Sequence, residues 1–156
     1  MLKKQQIKIE ADCNEKPKLR TFVQFKSFTT TPSYLLKPLS YIQRRFLAKI
    51  RLGCLELRLE TGRWARPRLI EESRTCQVCE NPENLVENEN HFLFHCVKYR
   101  NERAVWLQKL DLPPNFSNLT QIEKLDLVLN HPNNVKFTAQ FVIIAFDIRS
   151  KTLNRL

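Results

Sequence analysis

The chain has 156 residues, enough for one domain core, and its 42% hydrophobic and 10% aromatic content excludes a low-complexity, disordered composition. The formal charge of +10 lies entirely in the first half: Met1–Thr75 carries 17 Lys plus Arg against 7 Asp plus Glu, and the remainder balances 9 against 9. That asymmetry suggests a polyanionic partner, because phosphate neutralisation with counterion release supplies most non-specific nucleic-acid affinity, although an acidic protein or a membrane surface would also satisfy the charge.

Only two glycines, Gly53 and Gly62, and no sustained apolar alternation predict a mainly α chain. Residues 1–17 read as a loose polar arm. They lack the apolar stretch and cleavage site of a secretory signal, and an odd total of five cysteines fits a reducing compartment, so the expectation is an intracellular protein of nucleus or cytoplasm. Residues 18–62 form a basic helical region. From Tyr34 to about Leu59, Ile42, Phe46, Leu47, Ile50, Cys54 and Leu57 recur near helical spacing, with Gly62 as the stop. Residues 63–110 comprise a loop containing Pro67 and Pro82, then a helix from Asn88 or Asn90 through HFLFHCVKYRNERAVWLQKL. Residues 111–156 supply the C-terminal helices of the same domain. One starts at a capping box of Thr120 and Glu123, and the other follows the turn HPNN and carries FTAQFVIIAFDI. The longest apolar run, Phe141 to Phe146, falls far short of the roughly 20 residues that span a bilayer, so no membrane partner is expected.

The chemistry concentrates in Cys76-x2-Cys79 followed by His91-x4-Cys96. Two cysteines two residues apart form a turn that places both sulfurs on one ion, and zinc takes four tetrahedral nitrogen or sulfur ligands. Spacing leaves the fourth ligand open between His95 and Cys96. On a regular helix His95 lies about 40° around the axis from His91 and Cys96 about 140°, which favours His95. That choice approaches a two-Cys, two-His DNA-reading finger, but Glu83 and Asn88 stand where such fingers carry an aromatic and a leucine.

The runs LRLGCLELRLETGRW, RTCQVCE and LVENENHFLFHCVKYRNER, with KLRTFVQFK upstream, resemble the zinc-binding segment downstream of the reverse transcriptase domain in non-LTR (LINE-type) retrotransposon polyproteins. The resemblance covers most of the chain from about Lys18. It implies a Cys-Cys-His-Cys zinc knuckle of Cys76, Cys79, His91 and Cys96 stapling a small helical domain. The helix must then start at or after His91, or be distorted there.

The resemblance also implies a non-catalytic module that helps bind RNA or DNA, in a fragment or captured remnant of such an element. The Tyr-x-Asp-Asp motif of the polymerase is absent, and polymerase activity would need the missing reverse transcriptase domain, itself a candidate partner. Arg44, Arg45, Lys49, Arg51, Arg63, Arg66 and Arg68 are the expected phosphate contacts, with Trp64 as a stacking surface. The alternative is a zinc-stapled protein–protein interaction module acting through FVIIAF, which exceeds what one helical face needs to bury.

Overall fold

The computed structural model describes residues 31–79 and 85–154, with Ala11, Leu19, Thr21 and Phe22. The arm expected over 1–17, Ala11 apart, lies outside the described residues, as does most of KLRTFVQFK. The described residues are mainly helical, and their one β-type pairing is an isolated antiparallel bridge between Thr75 and Val86.

The first predicted helix is broken into three. A short α1, Ser33–Leu36, gives way to extended Lys37, because the ring of Pro38 excludes the helical conformation for the residue before it. Helix α2, Tyr41–Leu52, begins on a reciprocal cap: Ser40 Oγ accepts the Gln43 N–H at 3.2 Å, and Gln43 Oε1 accepts the Ser40 N–H at 2.9 Å. It stops at Gly53, whose φ of 71° is left-handed and costs a residue with a side chain. Helix α3 is the single turn Arg58–Thr61. Gly62 follows for a different reason, since a Cβ there would meet the Arg74 side chain at 2.6 Å and Arg58 O at 2.9 Å.

Past the zinc-type motif come α4, Arg100–Leu107, α5, Gln121–Asn130, and α6, Val135–Leu153. The expected box at α5 is present, with the Thr120 N–H donating to Glu123 Oε2 at 2.8 Å. Helix α6 is the central element and packs against α1, α2, α4 and α5. Its apolar run is therefore largely consumed within the chain: Phe141, Val142 and Ala145 are buried, while Ile144 is exposed. Phe46 of α2 meets Phe146 edge-on at 5.5 Å, and Trp106 of α4 stacks on Phe141 at 4.4 Å. Leu47, Ile50, Val128, Leu129 and Val142 are fully buried, each contributing about 1.5–3 kcal/mol. Among the described residues no helix is long and apolar enough to cross a membrane.

Candidate metal centre

The centre is built from a pinched loop and a distorted turn. Around the Thr75–Val86 bridge, Cys76 N–H donates to Leu85 O and Glu87 N–H to Arg74 O, each at 3.0 Å. This pinch sets Cys76 at the mouth of the bend that carries Cys79. Arg74 holds the opposite side, donating to the carbonyls of Leu59 at 3.1 Å and Leu69 at 2.8 Å.

The segment His91–His95 is not α-helical but one π turn, in which Cys96 N–H donates to His91 O at 2.8 Å. In a π turn residues five apart lie nearly in register, which brings His91 and Cys96 to the same side. The chain leaves helical geometry at Cys96, with ψ at 118°, and re-enters through the 3₁₀ turn Val97–Tyr99 into α4. Two devices hold this geometry. Asn88 Oδ1 accepts the His91 N–H at 2.8 Å, and the Arg103 guanidinium donates to Leu93 O and Cys96 O, both at 2.6 Å. The helix expected to run unbroken from Asn88 or Asn90 is thus interrupted where the two ligands have to converge.

One ligand atom each from Cys76, Cys79, His91 and Cys96 lie within 4.8 Å of one another. Cys76 Sγ and Cys96 Sγ are 3.9 Å apart, and Cys79 Sγ and His91 Nε2 are 3.5 Å apart. A tetrahedral ion with sulfur at about 2.3 Å and nitrogen at about 2.0 Å sets edges of about 3.8 Å between sulfurs and about 3.5 Å from sulfur to nitrogen. The donor set therefore fits a tetrahedral metal ion. Cys76 and Cys96 are not joined by a disulfide, whose bond is about 2.05 Å long. His95 is exposed and stands outside the group.

Protons are already unevenly shared. The hydrogen bond between Cys76 and Cys96, in which either sulfur can donate, holds Cys76 down to about 3, against the upward push of burial and with help from His91. The same interaction, with burial, pushes Cys96 well above the ordinary thiol range. One thiolate is thus favoured at neutral pH, the form in which cysteine binds metal. His91 is buried, and among the described residues its Nδ1 has no hydrogen-bond partner, nor has the buried Oδ1 of neighbouring Asn90.

Glu87 is the residue the motif does not announce. Its carboxylate, 1% exposed, accepts from Arg149 Nε and Nη2, both at 2.8 Å, and from Arg58 N–H at 2.6 Å, while Oε1 lies 3.6 Å from Cys76 Sγ. Burial raises its pKa in spite of Arg149. The pair ties the centre to the last helix of the core. The signal available in sequence was on α6, where Val142, Ala145 and Arg149 recur at i, i+3 and i+7, so that the arginine shares the buried stripe.

The basic residues do not form one class. Arg44, Arg45, Arg66 and Arg68 are exposed, and Trp64 is 68% exposed. Lys49 pairs with Glu56 at 2.8 Å, and Arg63, half-buried, lies 3.5 Å from Glu60. Arg51 does not meet the expectation of a phosphate contact: it is 5% exposed, donates to Leu129 O at 2.9 Å and lies over the Tyr34 ring. It faces α5 because position 51 follows Leu47 and Ile50 on the buried stripe of α2. No family model, curated protein or solved structure matches the chain.

Proposed function

We propose that Cys76, Cys79, His91 and Cys96 hold one zinc ion as a structural staple, and that the basic half of the chain binds RNA or DNA through phosphate. The observation that carries the metal reading is the convergence of His91 and Cys96 across the π turn onto the Cys76–Cys79 pair. Zinc is preferred because three soft sulfurs and an imidazole at tetrahedral separations suit it better than calcium or magnesium, which take oxygen ligands. Four protein ligands leave no open position for an activated water, so the role is non-catalytic.

The nucleic-acid reading is supported by the +10 charge and by exposed Arg44, Arg45, Arg66 and Arg68. The resemblance to the segment downstream of a retrotransposon reverse transcriptase favours the same assignment and the reading of this chain as a fragment or captured remnant of such an element, with any polymerase chemistry in another domain. The rival reading, a stapled protein-interaction module, keeps one supporting observation, the apolar groove between α4 and α6.

Metal analysis of the freshly purified chain tests the first half: one equivalent of zinc is expected, because structural zinc contributes roughly 10–16 kcal/mol of apparent binding energy. The Cys96→Ser variant should lose the metal and His95→Ala keep it. Less than about half an equivalent in folded wild-type protein would sink the reading. For the second half, affinity for RNA or single-stranded DNA should fall linearly with salt on a log–log plot, and an affinity indifferent to salt would exclude phosphate contact.

A further inference from the structure

An apolar groove of about 500 Å³ runs between α4 and α6, on a part of the surface that neither the metal centre nor the basic residues use. Its floor is the stacked pair Trp106 and Phe141, each 3% exposed, and Val105 and Ile144 rise from it at 52% and 51% exposure. On α4 and the turn that ends it the lining residues include Glu102, Val105, Trp106 and Lys109. On α6 they include Phe137, Gln140, Phe141 and Ile144. Both sets follow the spacing i, i+3, i+4, i+7, and each lines one side of the groove, with Lys109 in the turn just past the end of α4.

That spacing is unchanged when the direction of the chain is reversed. Reversal exchanges Glu102 with Lys109, Val105 with Trp106, Phe137 with Ile144, and Gln140 with Phe141. Apolar positions at the ends of the α6 stripe therefore map onto apolar positions, and the charge at each end of the α4 stripe maps onto its opposite. No salt bridge among the described residues engages Glu102 or Lys109.

We infer that this face is a self-complementary dimer interface whose occupant is a second copy of the chain. The two-fold axis lies in the interface and crosses the groove at right angles to the helices. It sets α4 antiparallel on α4 of the second copy and α6 antiparallel on its own counterpart, the isologous arrangement that a C2 dimer requires. Val105 and Ile144 close over the groove and supply the apolar burial. Glu102 faces Lys109 of the second copy at both ends, and because such rim pairs contribute modest affinity, their role is to fix the register.

Sedimentation equilibrium of the full chain, under reducing conditions with zinc present, tests the inference. A reversible monomer–dimer equilibrium is expected, with a dissociation constant on the order of 10 µM. Val105→Glu, a substitution at an exposed position, should leave the circular dichroism spectrum and metal content unchanged and leave the protein monomeric. Glu102→Lys and Lys109→Glu, each of which turns two attractions into two repulsions, should weaken association about five- to tenfold, and the double variant should return to within about twofold of wild type. A protein that stays monomeric to roughly 100 µM overturns the proposal, and any other occupant of the groove would be consistent with that result. A dimer whose strength is unaltered in both single reversals overturns it as well, by placing the contact elsewhere.

Discussion

Replacing Arg149 with methionine isolates the contribution of the buried pair behind the metal centre. The change keeps the apolar stem that packs along α6 but removes both 2.8 Å hydrogen bonds to Glu87, which is only 1% exposed and retains the Arg58 N–H and the nearby Cys76 sulfur. Stranding one member of a buried ion pair costs about 3–5 kcal/mol. For a chain of this size each kcal/mol moves the melting temperature by about 2–4 °C, so the midpoint should fall by about 10 °C at neutral pH in saturating zinc. Burial already raises the Glu87 pKa, and loss of Arg149 removes the main opposing influence, so the variant carboxyl shifts further up. A folded state that binds the proton more tightly than the unfolded chain loses stability as pH rises. The deficit of the variant should therefore grow from the ordinary carboxylate range towards neutrality and shrink on acidification. Adding Glu87→Gln removes the stranded charge and should recover most of the loss, since complete replacement of a buried pair is often near neutral. Urea and thermal denaturation of the four members of this cycle measure the coupling directly. A single-variant cost under about 1 kcal/mol, or a double variant no better than Arg149→Met, would refute the account of Glu87 as a charge held by one partner.

Gly53→Ala should cost about 1 kcal/mol or more in urea denaturation, because the left-handed φ at the end of α2 strains any side chain. Acid titration should reveal the cap of α5. Thr120 holds the Glu123 carboxyl below its ordinary value, so that contribution is present above the unfolded carboxylate range and lost as pH falls through the lower folded value. Glu123→Gln should erase this part of the pH dependence. The exposed and buried arginines should separate in binding assays: Arg44→Gln with Arg45→Gln should reduce the log–log salt slope by about 1.5, whereas Arg51→Met should lower thermal stability and leave the slope of the folded protein unchanged.

The elements that sequence predicted well are those with local determinants. The Thr120–Glu123 box and the turn before Val135 are written in a few adjacent residues, and both stand in the structure. The long first helix did not survive, because its apolar spacing continues through Pro38 and Gly53, and periodicity carries no record of a left-handed residue. Regular helical geometry favoured His95 over Cys96 for a related reason. An angle of 100° per residue assumes α hydrogen bonding, and the π turn between His91 and Cys96 suspends that assumption over five residues. Glu87 was hidden among the acidic and amide residues of ENEN, a composition that reads as solvated loop. Its partner lies 62 positions away, and only the tertiary fold joins them.

The separations in sequence set an order of assembly. Cys76 and Cys96 are 20 residues apart, whereas Glu87 must wait for Arg149, 62 residues on, and Arg51 for Leu129, 78 residues on. Each doubling of a closed loop costs only about 0.6 kcal/mol in entropy, but the longer contacts also require chain that has not yet been made. During synthesis Cys76, Cys79, His91 and Cys96 are all made before α5 or α6, whereas the partner of Glu87 comes only with the last helix. The Glu87–Arg149 pair can therefore form only once the last helix is in place, which makes it a marker for the docking of α6.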